Sequence, residues 1–539
     1  MNVINKKRLP MILVAAAVFL VSGIFFIAQR RYLAYETQIT QRGRILTVKA
    51  GGDFQEALNS ARGGDTIVLE AGAKFVGPFT LPNKGAGESY VTIQSSRTSE
   101  LPEGVRVKPK REPKPESETE QSSLMPKLLS PGKGAAAVQT APGAHHYRLI
   151  GLEIGRVAPD AVVWDLVKLG DGTNAQNSDS QVPRYLTIDR CYIHGDSGDL
   201  KRGISLQSAD TEIINSHISD FHVRGQEAQA IAGWNGPGPY WIVNNYLEGA
   251  GENLIFGGST GGLSNVVPSN IKILRNDFYK PTSWRGVWTV KNILELKNAR
   301  RVVIDGNRFE NCWLDAQQGY AILFTPRPSD SGATAVVEDV EFTNNIVRHV
   351  AAGIHLLGQD DLYAAGRRER RLHRVRIANN LFEDVNQAVW GGDGTFVKVV
   401  SGTDQVTIEH NTVLQTGNII KSGGDPHRGF AFRDNIVRHN EYGAHGDDVG
   451  YGNPALSRYF PNAHFLNNLI LKEVNAPANV ENVYPAQNSF SESLSNVRFV
   501  NAASGNYRLS SGSRYKRKGT DGRDPGCDLD KLQAAMKGD

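Results

Sequence analysis

Cysteine and methionine are scarce in this chain, at three and four of 539 residues. The few thiols exclude a disulfide framework. Cys191 and Cys312 fall four sequence repeats apart, ~19 Å along a stack of strands, beyond the reach of an S–S bridge. Cys527 lies past the last repeat. An excess of one charge is also missing, with 60 Lys and Arg against 56 Asp and Glu, a formal net charge of +4. That balance is too small to imply a nucleic-acid partner, and neither a nucleic-acid motif nor a stripe of interleaved basic and aromatic residues stands in its place. Long apolar runs are absent with one exception. Residues 9–28 carry no charge between Lys6-Lys7-Arg8 and Arg30-Arg31. At ~1.5 Å per residue such a run spans the ~30 Å hydrocarbon core of a bilayer. Val21-Ser22-Gly23 is a poor cleavage site, so an uncleaved single-pass anchor with an extracytoplasmic domain is expected; secretion after signal cleavage is the alternative. Basic residues on both flanks orient the segment only weakly. Residues 32–46 form a polar spacer.

What the chain has in quantity is a repeat. The pattern is apolar residue, two variable residues, Asn, any residue, apolar residue. The Asn falls at Asn245, Asn276, Asn307, Asn345, Asn380, Asn411, Asn435 and Asn468. Two earlier segments, 188–193 and 214–219, keep the frame with Cys191 and His217 in the Asn position. Spacings run from 24 to 38 residues, the signature of a solenoid. Each repeat is rich in β-branched and aromatic residues, too short for strand plus helix, and flanked by Gly, Asp and Asn. Stacked coils of short strands make an all-β parallel β-helix, in which equivalent positions lie ~4.8 Å apart along the axis. Asn residues in register would then form a buried amide ladder. The competing account is that Asn merely tolerates left-handed turns.

Asp53, with Glu56 three residues on, predicts a short helix that lids the first coils. The β-helix is expected over 47–530, with 531–539 as a tail. Residues 97–134, rich in Pro, Lys, Glu and Ser, read as a flexible insertion. Residues 367–376 hold six arginines, a solvated loop or a grip for an acidic polymer. Asp521, Asp524 and Asp528 raise calcium, at a spacing that matches no known loop.

The repeated Asn, the lid helix and the phrase Gly64-Asp65-Thr66-Ile67-Val68-Leu69-Glu70-Ala71-Gly72 resemble right-handed parallel β-helix proteins of the pectate-lyase-like superfamily. The phrases Ala230-Ile231-Ala232-Gly233-Trp234-Asn235 and Gly251-Glu252-Asn253-Leu254-Ile255-Phe256-Gly257-Gly258 are similar to those of a mostly uncharacterised bacterial group within it. The resemblance implies the fold strongly and a reaction weakly.

Function is expected on an outward strand row facing a groove. Counting nine positions from each Asn puts Leu254, Ile354, Val389, Ile420 and Ala444 inward, and Ile255, His355, Trp390, Lys421 and His445 outward. In 293–297, Leu294 and Leu296 face in, so Glu295 and Lys297 face out. A lyase must neutralise a uronate carboxylate and offer a Lys or Arg base. In alginate-lyase and chondroitinase types, the resemblance implies a Glu-x-Glu beside an Asn of the coil before, holding calcium, with a basic Lys just beyond. Here Glu295-Leu296-Lys297 puts Lys where the second Glu would be, and Asn253 is the candidate Asn. Glu295, Lys297 and Glu252 are thus the catalytic candidates; Asn253, His355, Trp390 and Lys421 are the substrate-binding ones. Glu295 and Lys297 in a strand ion pair is the plainer alternative. A hydrolase would need two carboxylates ~5–9.5 Å apart, for which Glu252 and Glu295, with Asp220, Glu227 and Asp315 nearby, are available. His145-His146 lacks a third ligand at zinc spacing. The outward row mixes aromatic, cationic and anionic groups, which suits a sugar chain with carboxylates, so the expected function is binding or modifying a polysaccharide, with β-elimination ahead of hydrolysis. A non-catalytic envelope-binding or adhesion solenoid is the second class.

Overall fold

The computed structural model describes residues 43–109, 121–328, 335–360, 371–473 and 475–538. The apolar segment 9–28 lies outside them. Among the described residues, no helix is long and apolar enough to cross a membrane.

Three parallel sheets run the length of the solenoid. Sheet 1 has fourteen strands, from Ile45–Val48 to His464–Leu466; sheet 2 has fourteen, from Lys74–Val76 to Ser489–Ser491; sheet 3 has twelve, from Phe79–Leu81 to Ala444–Gly446. Each coil visits sheets 1, 2 and 3 in turn, as in Arg184–Asp189, Tyr192–His194 and Arg202–Leu206. Alternation does the rest: in Val337–Thr343, for example, Val337, Val340 and Phe342 are buried, and they stack on Ala299, Val302 and Ile304 of the coil before. Phe278, Phe309 and Phe342 continue the core as a column of rings 4.6 and 5.6 Å apart. Asp53 caps the helix Phe54–Ser60, accepting from the Glu56 N–H. The helix lays Phe54 against Phe75 and Phe79 over the first coil.

The turn from sheet 1 to sheet 2 is two residues long and explains the repeat. Its first residue is left-handed in coil after coil: Arg190, Asn215, Asn244, Arg275, Gly306, Asn344, Asn379, His410, Asp434 and Asn467. Asn, Asp and Gly dominate because their short or missing side chains tolerate that geometry. Its second residue is the buried Asn. Each such Asn donates its backbone N–H and one amide hydrogen to the Oδ1 of the next, as Asn276 does to Asn307 at 2.8 and 3.0 Å. The other amide hydrogen goes to a carbonyl of the coil before, Asn276 to Ile242 at 2.8 Å. Both lone pairs and both hydrogens are thus used. The column runs through all eight expected asparagines and ends on a ninth, Asn488, which accepts from Asn468. One expected register is corrected. Ser216, not His217, fills the slot below Asn245: its N–H donates to Asn245 and its hydroxyl accepts from Cys191 N–H. Two isoleucines in succession, Ile213 and Ile214, shifted the sequence frame by one. His217 faces outward and stacks on Tyr246.

Two straps cover the outside of this turn. In the expected insertion 97–134, residues 101–107 pack along the coils: Arg106 donates to Asn244 and to the Arg275 carbonyl, and pairs with Asp277. Lys127–Ser130 is a strand of sheet 2, so only part of the segment lies outside the solenoid. The expected tail is likewise structured. The helix Leu529–Lys537 buries Leu529 and Leu532 against Leu381, Leu414, Tyr507 and Cys527. Asp528 donates its N–H to Asn379, and Thr520 ties to Asp434. All three cysteines are free and buried. The described arginines of the 367–376 run are paired, Arg374 with Asp339 and Arg376 with Glu409.

Asn345→Leu removes the acceptor of two Asn307 hydrogens and the donor to Asn380 and Ile304. At about 1–3 kcal/mol for each buried group left unpaired, the denaturation midpoint falls with little change in slope. A variant that unfolds at the parent's midpoint would remove the column from the stability argument.

Candidate functional site

Among the described residues, no strap crosses sheet 3. One outward residue per strand forms a continuous row across it: Thr80, Gln139, Lys168, Ser205, Ala232, Ile255, Glu295, Leu323, His355, Lys398, Lys421 and His445. Ile255, His355, Lys421 and His445 stand in it as the sequence frame placed them. Trp390 does not. A helical turn, Gln387–Trp390, is inserted ahead of the strand Val397–Val400, so Lys398 takes the row position. Trp390 instead donates to Asp384 at 2.8 Å and packs with Trp284 and Trp313 in the wall formed by the turns from sheet 2 to sheet 3. The sequence did hold a sign of Lys398, since Val397-Lys398-Val399 alternates as a strand.

Glu295 lies mid-row between Leu294 and Leu296, both fully buried in the core. It faces the groove yet is only 2% exposed. Oε1 is 3.5 Å from the Lys297 ammonium and 3.4 Å from Thr325 Oγ1; Oε2 has no hydrogen-bond partner. Burial raises its pKa, against the pull of Lys297 and Lys291. Lys297 follows the strand and crosses Gly257-Gly258 of the previous coil. Both glycines have positive φ, and a Cβ on Gly257 would meet the Lys297 Cβ at 3.0 Å. Arg327 follows the strand of the next coil, its backbone N–H donating to the Lys297 carbonyl, and its guanidinium pairs with Asp360. Arg327 carried no signal in the sequence, because its loop falls outside the repeat.

Glu252 sits one coil earlier at the end of a side-chain chain. Asp165 pairs with Arg202, Arg202 donates to Gln229 at 3.2 Å, and Gln229 donates to Glu252 Oε2 at 2.9 Å. Oε1 has no hydrogen-bond partner and lies 3.9 Å from Lys291, which pairs with Glu227. Burial, then the charges of Glu295 and Glu227, push the Glu252 carboxyl from 4.5 up to about 7. The turn before it is held by Lys280, a fully buried ammonium that donates to the carbonyls of Gly249, Ala250 and Gly251 and is pushed down to about 8 by burial. Nothing in the sequence marked Lys280.

Asn253 is corrected. It points into the solenoid, where its amide donates to Leu247 and Tyr279 carbonyls at 2.7 and 2.9 Å. The strand is irregular here, with the N–H groups of both Asn253 and Leu254 on the Ile293 carbonyl, which breaks alternation. The calcium arrangement implied by the resemblance does not fit these residues. Asn253 is turned away, an ammonium stands at Lys297, and a second one flanks Glu252. Among the described residues no three His, Cys, Asp or Glu side chains converge as metal ligands, Asp521, Asp524 and Asp528 included. Asp315 accepts from the Val290 N–H, and His145 and His146 contact each other at 2.7 Å, on sheet 1.

A cavity of about 270 Å³ opens beside Glu295, lined by Lys297, Gln317, Gln318, Tyr320, Thr325, Arg327, His355 and Lys398. His355 is half-buried, its Nε2 unpartnered and its pKa pushed down to about 3 by the loss of solvent around the ring and then by Lys398 and Arg327, so the ring is neutral. Tyr320 Oη donates to Asp393, which also faces Lys421 at 3.5 Å. A second cavity of about 290 Å³, reaching Lys168, Arg202, Trp234 and Ile255, shares Lys297 with the first. A third, of about 290 Å³ around Gln139 and Thr140, shares Lys168 with the second. The three make one long groove over sheet 3.

No protein-family model matches the chain, and no curated protein matches it. Solved structures do. An alginate lyase of family PL6, AlyGC, is 11% identical with a TM-score of 0.50, over 83% of this chain and 53% of that one; the present chain therefore spans about half of its length. The catalytic unit of a GH87 α-1,3-glucanase from Streptomyces thermodiastaticus strain HF3-3 is 12% identical with a TM-score of 0.48, over 79% and 69%. A PL6 alginate lyase in complex with a trisaccharide is 12% identical with a TM-score of 0.45, over 92% and 94%. The likeness to AlyGC, with the three parallel sheets, shows the fold to be a parallel β-helix.

Glu252→Gln tests the buried carboxyl. A folded pKa raised above 4.5 to about 7 means that the folded state holds the proton across that window while the unfolded state releases it. The parent therefore loses stability as pH rises from about 4.5 through 7. The variant, which stays neutral, gains in melting temperature relative to the parent over the same window. Parallel melting curves at all pH values would show that Glu252 is not held neutral.

Proposed function

We propose that this protein is a polysaccharide lyase that cleaves an acidic glycan by β-elimination in the sheet 3 groove. The observation that carries the reading is Lys297 beside the buried Glu295, with Arg327 hydrogen-bonded to its backbone from the next coil and both lysine and arginine lining one cavity. Arg327 receives the uronate carboxylate and draws off its charge, which acidifies the neighbouring C5–H. Lys297 is the base that takes that proton. The electron pair forms the C4–C5 double bond, the C4–O bond breaks, and the departing oxygen receives the proton back from the Lys297 ammonium. Glu295 orients Lys297, and Glu252 holds the floor of the site from one coil below. The fold is shared by lyases and by a glycoside hydrolase, so the chemistry of this chain rests on its own residues. We place the domain outside the cytoplasm, tethered through residues 9–28.

The test is a panel of acidic and neutral polysaccharides, read by absorbance of unsaturated ends and by reducing ends. Unsaturated product is expected from an acidic glycan. Lys297→Ala abolishes it, and it also lowers the melting temperature, because it takes the cation away from the buried Glu295 carboxyl. New reducing ends without unsaturation would assign hydrolysis, with Glu252 and Glu295 as its carboxyls. Binding without any new ends would assign a non-catalytic solenoid. Full activity in the Lys297 variant would sink the elimination mechanism.

A further inference from the structure

Among the described residues, the cations of the groove are paired with one exception. Lys168 meets Asp171 at 2.6 Å, Arg202 meets Asp165, Lys291 meets Glu227, Lys297 meets Glu295 at 3.5 Å, Arg327 meets Asp360, and Lys421 meets Asp393 at 3.5 Å. Lys398 has no carboxylate within ion-pair distance among the described residues. Its Nζ donates to the neutral amide oxygen of Gln318 at 3.3 Å. It lines the same cavity as Glu295 and stands in the row between His355 and Lys421. Burial lowers its pKa, and the neighbouring Lys421 charge lowers it further, while Asp393 and Asp447 act the other way. An anion arriving at this ammonium relieves both costs, and the neutral His355 next to it adds no competing charge.

We propose that Lys398 is an anion subsite, holding a carboxylate or sulfate on a sugar other than the one that loses its proton. Three strand spacings separate it from Glu295, roughly 14 Å along the groove. Recognition is then one-sided. The Lys168, Arg202 and Lys291 side is internally neutralised and accepts neutral or anionic sugars alike, while the Lys398 side selects charge. This deepens the reading above, on which it rests for the location of the glycan.

Binding, measured by titration calorimetry, separates the two. The ligands are long and short uronate oligomers, a sulfated neutral oligomer and an uncharged one. Lys398→Gln is expected to weaken the long anionic oligomers by about tenfold or more, the worth of one charge-assisted hydrogen bond. It leaves uncharged oligomers, and uronates too short to reach Lys398, as they were. The salt dependence of binding falls, KM rises with kcat held, and Lys398→Arg restores affinity. Whether the uronate or the sulfated oligomer shows the loss identifies the anion. Equal affinity of parent and Lys398→Gln for every anionic oligomer overturns the subsite, as does a parent that binds none of them. An affinity loss at Lys398 in a protein that yields no unsaturated product would keep the subsite and discard the lyase reading.

Discussion

The asparagine column is the constraint from which the rest follows. A solenoid must hold every coil in one register against its neighbours, and apolar contacts alone allow slippage. Each buried Asn locks three consecutive coils, accepting from one side and donating to both. Because the amide groups are fully satisfied in a dry interior, any coil out of step would strand a donor or an acceptor. The left-handed residue ahead of each Asn turns the chain within two residues. That tight corner sets where sheet 2 begins, while the corner between sheets 2 and 3 is free to vary in length. The corner between sheets 3 and 1 varies as well, so variable loops flank sheet 3 on both edges, and those between sheets 2 and 3 build the Trp wall beside the groove.

Register converts into chemistry on sheet 3. Strands from successive coils place single side chains in line, so residues distant in sequence, such as Lys168, Glu295, Arg327 and Lys398, face one trough. The burial that organises them also tunes them. Glu252 and Glu295 sit where ionisation is costly, and the ammonium groups of Lys280, Lys291 and Lys297 surround them. The site is thus close to neutral as a whole, with Glu252, Glu295 and Lys280 held away from their solution behaviour. The groove ends differ for the same reason: ion pairs quench one flank and leave a single uncompensated ammonium on the other.

Much of this was legible in the residues. The spacing of Asn residues located the column, and Leu294 and Leu296 forced Glu295 outward. The failures were local. Ser216 was missed because Ile213 and Ile214 both satisfied the apolar frame. Lys398 was displaced by Trp390 because a helical turn lengthened one corner, and a fixed offset cannot see an insertion. Asn253 was read by alternation across an irregular strand. Lys280 and Arg327 lie outside the repeat and needed three dimensions. Such irregularities cluster around the groove, where the chain departs from its own pattern.

The strap formed by residues 494–538 bears on how the solenoid is made. It covers Ile346, Leu381, Leu414, Ile436 and Leu469, an apolar stripe that the coils themselves leave facing outward. A ribosome delivers those coils first and their cover later. A nascent chain therefore carries a bare, sticky seam along one side throughout the interval, and a chain stalled after the last coil keeps it. The vulnerability of this protein to self-association is set by the order of synthesis more than by the stability of the finished fold.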